Sequence, residues 1–328
     1  MKKAIWLVLL FSGIAVAAAT GYHKTNEIKI GGAGQWDLLT VDSAARRLYV
    51  SHQSKVEVID IDAGKKVGEV PNTAGVHGIA VAPALNKGFT TNGSTNDVTV
   101  FDLKTLQPIG MPVKVGTNPD DIVFEPVTSR VLAFNARSNN VTIIDAKTGN
   151  VVATVALNGN PELAVADGKG KVYDNLESTS TIVEIDAAKG TVTKEYSLAP
   201  CMSPTGLAMD KKNRKLFSSC GNRVMAISDP DTGKVIATVP IGAGTDGAGF
   251  DPGTGYAFSS NGTDGTLTII QTAGGKYEVT ETIPTQPRSR TMTIDEKTHN
   301  LYLPTVDPAP GGGRGSAPDS FKVLVFSK

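Results

Sequence analysis

The chain has 328 residues, with 32 Lys plus Arg against 32 Asp plus Glu, 40% hydrophobic residues and 35 Gly. Balanced charge without a basic run argues against a sequence-independent grip on nucleic acid, which needs clustered Lys and Arg. The apolar content suffices for a large core, and Val, Ile and Thr dominate the apolar runs, which favours strand over helix.

Lys2 and Lys3 precede an apolar run from Ala4 to Ala19 that ends in three alanines. A positive start, a short apolar core and a small-residue end predict a secretory signal peptide over residues 1–19, cleaved after Ala19. The run is shorter than the ~20 residues of a spanning helix, and no other segment is apolar enough to span. Without Lys2 and Lys3 the mature chain, 20–328, keeps 30 cationic against 32 anionic residues, a formal charge of −2.

From residue 24 onward the text is strand-like and repeats. Small or acidic residues close successive "V-x-x-I-D" runs at Asp60, Asp102, Asp145, Asp186, Ser228, Gln271 and Ser327. A second series closes an earlier strand at Asp42, Ala82, Glu125, Asp167, Asp210, Asp251 and Asp295. A period of about 42 residues with strand patterning denotes a propeller or solenoid. The third unit holds four alternating runs, "DDIVFEP", "RVLAFNA", "NVTIIDA" and "NVVATVA". Four strands per unit make a propeller blade, since a parallel β-helix uses shorter coils. The sequence therefore predicts an all-β, seven-bladed β-propeller with four antiparallel strands per blade. The last unit supplies only three runs, 289–296, 300–305 and 321–328, so the N-terminal "KTNEIKIG" (24–31) is expected to complete it and close the ring.

"RRLYVSHQSKVEVIDIDAGKKVGEV" and "KGFTTNGSTNDVTVFD" resemble the YVTN-repeat, YncE-like propellers of bacterial envelopes, and the similarity runs through essentially the whole mature chain. The resemblance implies a periplasmic or secreted binding protein, or a lactonase-like one. The repeat Asn of that family stands at Asn92, Asn135 and Asn261 and is replaced at His52, Cys220 and Thr305.

Five residues before each member of the second series lies the residue expected to open the innermost strand: Asp37, His77, Asp120, Glu162, Thr205, Asp246 and Arg290. In a propeller these form a ring at one mouth of the central channel, where function usually sits in the loops. Clustered carboxylates with a His can bind a cation or do acid–base work; alternatively they line a funnel of solvated charges. Asp37, His77, Asp120, Glu162, Asp246 and Arg290 are the ligand-binding candidates, with Trp36, the only Trp of the mature chain, and His52 at their edge. His52 either pairs with His77 or does the work of the repeat Asn. A 13-residue insertion, Pro308 to Ser320, reads as a mobile loop on the same face: filler, or a lid carrying Arg314. Cys201 and Cys220, the only cysteines, are expected to form a disulfide in an exported chain.

No nucleophile elbow, dinucleotide fingerprint or P-loop occurs. The reading that follows is a monomeric, non-catalytic propeller that binds a small polar ligand or an envelope protein at the mouth. Its rival is a lactonase-type hydrolase in which ring carboxylates hold a divalent cation to activate water.

Overall fold

A computed structural model of the chain describes residues 19–32, 34–311 and 315–328. All but the last residue of the expected signal segment, and Arg314, lie outside them.

The described residues contain 28 strands in seven four-stranded antiparallel sheets, each one blade. Blade one is Leu39–Asp42, Arg47–His52, Lys55–Asp60 and Lys65–Val70; blade two is Val76–Ala82, Lys87–Asn92, Asp97–Asp102 and Val113–Lys114. Blade three is Pro119–Glu125, Arg130–Asn135, Asn140–Asp145 and Val151–Ala156; blade four is Pro161–Ala166, Lys171–Leu176, Thr181–Asp186 and Thr191–Ser197. Blade five is Pro204–Asp210, Lys215–Cys220, Val224–Asp229 and Lys234–Pro240; blade six is Thr245–Asp251, Tyr256–Asn261, Thr266–Gln271 and Glu278–Pro284. Blade seven is Thr293–Asp295, Asn300–Thr305 and Lys322–Ser327, completed by His23–Lys29.

The two series of acids recur because they shape turns. Asp60, Asp102, Asp145 and Asp186 each accept backbone N–H groups two and three residues on. Asp42 and Glu125 do the same after the first strands, and Asp251 accepts Gly253 N–H and the Thr254 hydroxyl. A short side chain that mimics a backbone acceptor fixes such turns. In blade five this acid is Asp229, which receives Asp231 N–H and Thr232 N–H, one residue beyond the Ser228 of the sequence series.

Middle strands are buried almost throughout, and outermost strands alternate with water. Neighbouring blades bury each other's faces: Leu132, Phe134, Val141 and Ile143 of blade three pack against Val172, Leu176, Val183 and Ile185 of blade four. One blade alone leaves both faces wet, so stability comes from stacking. Closure follows the expected route. His23–Lys29 pairs antiparallel with Lys322–Ser327, Ile28 opposite Val323, and Ile28 is buried with Leu48, Val50 and Ile59 of blade one.

Some bounds differ from the sequence reading. The first strand of blade seven is only Thr293–Asp295, because residues 288–291 are held instead by turn and cross-blade hydrogen bonds. The fourth strand of blade two shrinks to Val113–Lys114, preceded by an isolated bridge from Phe101 to Pro108; Pro108 and Pro112 lack the N–H that a ladder needs. The described part of the insertion folds back on itself, Pro308 bridging Ser316, and is tied by Asp319 to Gly32 N–H. Cys201 and Cys220 are bridged, with Cα atoms 5.7 Å apart, in the buried core of blade five.

Candidate functional site

The ring residues owe their orientation to a repeated backbone irregularity. In blades two to six the first strand slips register just after its first residue, as between Val76 and Ile79 or Pro119 and Ile122. A β-bulge re-aims the side chains within it. His77, Asp120, Glu162, Thr205 and Asp246 occupy this position. Asp37 and Arg290 lie just before the first strands of blades one and seven.

The ring backbone is laced across blade boundaries. Thr91 donates to the Asp120 carbonyl, Asn175 to that of Thr205, Ser260 to that of Arg290 and Thr291 to that of Asp37. Each donor comes from the preceding blade, so blade stacking sets the spacing of the ring.

Five ring side chains form one continuous chain of contacts. Arg290 Nε donates to Asp246 Oδ2 at 2.7 Å, and Arg290 Nη2 to Asp37 Oδ1 at 3.2 Å. Asp37 Oδ2 lies 2.6 Å from His77 Nδ1, and that nitrogen lies 3.3 Å from Asp120 Oδ1. Trp36 lies at the edge, its carbonyl accepting from Arg290 and its ring 5.8 Å below the guanidinium. Glu162 and Thr205 stand outside this chain. Thr205 donates to the Thr245 carbonyl, and among the described residues no cation pairs with Glu162.

The carboxylates are recessed and not freely solvated. Burial first, then the charges of Asp120 and Asp246, push the Glu162 carboxyl up to about 9. Burial and Asp37 push Asp120 up to about 7 against the pull of His77. Burial and Asp37 push Asp246 up to about 6 against Arg290. Burial works against the His77 imidazolium, but the Asp37 hydrogen bond and the Asp120 and Asp37 charges prevail and raise its pKa. Four ring carboxylates thus share one guanidinium and one imidazole.

His52 takes no part in this chain. It is buried, its Nδ1 2.9 Å from Glu57 Oε1 and its ring packed on Phe321. Asn92, Asn135 and Asn261 hold the following strand in the same way, through Thr99, Thr142 and Thr268. His52 thus stands in for the repeat Asn, tying its strand to the next through Glu57. Trp36 also stacks on Phe321, with ring centroids 5.5 Å apart.

Two acids escape a count confined to the ring register. Asp121 is buried behind Asp120 and accepts Ala164 N–H and Ile122 N–H; burial pushes it up to about 6. Asp174 is fully buried in blade four, and neither carboxylate oxygen has a hydrogen-bond partner. Burial, then Asp121 and Glu162, raise it well above the usual carboxylate range. The signal was available: at its register the other blades place Val50, Thr90, Ala133, Ser218, Ser259 and Leu303.

The ring opens into a cavity of about 500 Å³ lined by Trp36, Asp37, Gln53, His77, Arg288 and Arg290 among others, a volume typical of small-molecule sites. Further down the channel a second space of about 360 Å³ is walled by Ile79, Ile122, Leu163, Leu207 and Met292. Asp121 and Lys211 also border this second space, whereas the ion-pair chain of the ring stands at the mouth.

Fold and ring together define the class of protein, a seven-bladed β-propeller built in the manner of WD40 repeats. Among solved structures the chain is similar to the WD40 repeats of RRP9, with a TM-score of 0.76 and 9% identity over 95% of this chain and 99% of that one. It is also similar to hydrazine synthase of Kuenenia stuttgartiensis, with a TM-score of 0.70 and 16% identity over 86% of this chain and 94% of that one. Likeness at these identities shows the fold alone. No family model and no curated protein matches the chain.

Proposed function

We propose that the chain is an exported, YncE-like propeller that binds a small polar ligand bearing positive charge at the channel mouth, without catalysing a reaction on it. One observation carries the ligand class: among the described residues Arg290 and His77 are the only cations that pair with Asp37, Asp120 and Asp246, and Glu162 pairs with none. A cation entering this site offsets the burial that, with the neighbouring charges, disfavours ionisation of Glu162, Asp120 and Asp246. Export is supported by the N-terminal pattern of residues 1–19 and by the Cys201–Cys220 bridge, since disulfides persist in oxidising compartments. The YncE-like assignment rests on the repeat text.

Trp36 supplies the assay, because its indole lines the cavity against Arg290. Titrating the mature chain with small amines, diamines and quaternary ammonium compounds is expected to change its fluorescence and raise its melting temperature. Asp120→Asn is expected to weaken that response. Binding confined to anionic compounds would overturn the charge argument. Capture of an envelope protein by a face that ignores amines would shift the reading to an interaction protein.

A further inference from the structure

We propose that Asp37, His77 and Asp120 form a binding site for one divalent first-row metal ion of the Zn²⁺ class. This deepens the cationic-ligand reading and rests on it.

The three residues come from blades one, two and three, and the stacking of these consecutive blades brings them together. One atom of each, a carboxylate oxygen or a ring nitrogen, lies within 4.8 Å of the others, the only such group of three among the described residues. Two carboxylates balance a divalent charge. An imidazole nitrogen favours Zn²⁺-like ions over Ca²⁺ or Mg²⁺, which seek six or more oxygen ligands. Three protein ligands leave a coordination position open, and two of the residues that supply them, Asp37 and His77, line the mouth cavity.

The distances fit a site that a hydrogen bond holds shut. Metal–ligand bonds of ~2.0–2.2 Å at roughly tetrahedral angles separate neighbouring ligand atoms by about 3.3–3.6 Å. Asp120 Oδ1 already stands 3.3 Å from His77 Nδ1. Asp37 Oδ2, at 2.6 Å, has to draw back by roughly 0.7–1 Å to reach that separation.

Two neighbours keep the ligands aimed. Arg290 holds Asp37 by Oδ1, which presents Oδ2 to His77, and the Arg290 charge is shared with Asp246. A Cβ on Gly93 would come within 2.7 Å of His77 Nε2, so the bare backbone of Gly93 leaves the imidazole its place. Such supporting contacts fix ligand orientation in metal sites.

The test uses the mature chain, stripped with a chelator and then titrated with Co²⁺ alone while visible ligand-field absorption is followed, with Zn²⁺ as competitor. One equivalent of Co²⁺ is expected to bind and to be displaced by Zn²⁺. His77→Gln, which can keep a hydrogen bond to Asp37, is expected to weaken binding by at least about tenfold. Asp120→Asn is expected to weaken it similarly, and Gly93→Ala to change the absorption spectrum as the imidazole tilts. His23→Gln, on the exposed closing strand, should leave binding intact. No saturable Co²⁺ binding, or binding that survives both His77→Gln and Asp120→Asn, overturns the site. Metal-free protein that still answers amines through Trp36 would leave the cationic-ligand reading standing while the metal site falls; silence towards both removes the two together.

Discussion

Glu162→Gln tests the electrostatics of the mouth most directly. In the folded chain the Glu162 carboxyl stays protonated up to about 9, against an ordinary value of 4.5, because burial and the charges of Asp120 and Asp246 oppose its ionisation. The unfolded chain ionises near 4.5, so between 4.5 and 9 the folded state holds a proton that the unfolded state has released. Stability is then full below 4.5 and falls by about 1.4 kcal/mol per pH unit up to 9. At pH 7 that amounts to about 3 kcal/mol, reduced to about 2 kcal/mol by solvent at the mouth and by coupling among the ring acids. Gln keeps the shape of the protonated acid and removes the slope. Urea denaturation across about pH 4 to 8 should show the variant equal to the parent in acid and about 2 kcal/mol more stable at neutral pH. A stability difference that does not change with pH would refute the reasoning, and it would restore the picture of solvated charges that the sequence also allowed.

Three further outcomes follow from the packing. Starting the chain at Gly32 removes His23–Lys29 and exposes the edge of Lys322–Ser327, so thermal melting should show a loss of several kcal/mol, of which burial of Ile28 accounts for about 2 kcal/mol. Replacing Cys201 and Cys220 together by Ser should cost about 3 kcal/mol in urea denaturation, as expected for opening a loop of 19 residues. Asp174→Ser puts into blade four the residue that blades five and six carry at that register; it should stabilise the chain by about 1–2 kcal/mol at neutral pH, since a buried carboxyl without partners is removed.

The blade architecture was legible because the repeat marks turns. Asp60, Asp102, Asp145 and Asp186 recur at nearly constant spacing since each closes the same backbone loop, and counting back five from the companion series reached the bulge that faces the channel. The count slipped only at Ser228, where the turn acid is the next residue. The pairing within the ring was not legible. Arg290 meets Asp37 because the ring closes, and nothing local to either residue records that contact. The protonation of Glu162 and Asp120 depends on burial by neighbours from other blades, which a single-strand pattern does not carry. Asp121 and Asp174 stand out as exceptions among the repeats, but Asp121 is the residue after the ring position and Asp174 lies on the second strand opposite Ala164, so neither falls at the register of the mouth. Leu176 likewise occupies the repeat-Asn register of blade four as part of the apolar core.

The joint in blade seven also orders events in time. The strand that seals the ring, His23–Lys29, lies near the start of the described chain, and its partner, Lys322–Ser327, near its end. During synthesis six blades can stack as each emerges, while this strand waits beside an unfinished neighbour. Pairing between such distant segments is slow, because a long chain must be ordered before the contact forms. Until then the nascent molecule is an open arc with an unpaired edge at either side, the condition in which strands of different molecules pair with one another. A chaperone that covers one edge of the arc would therefore act on yield without altering the finished ring.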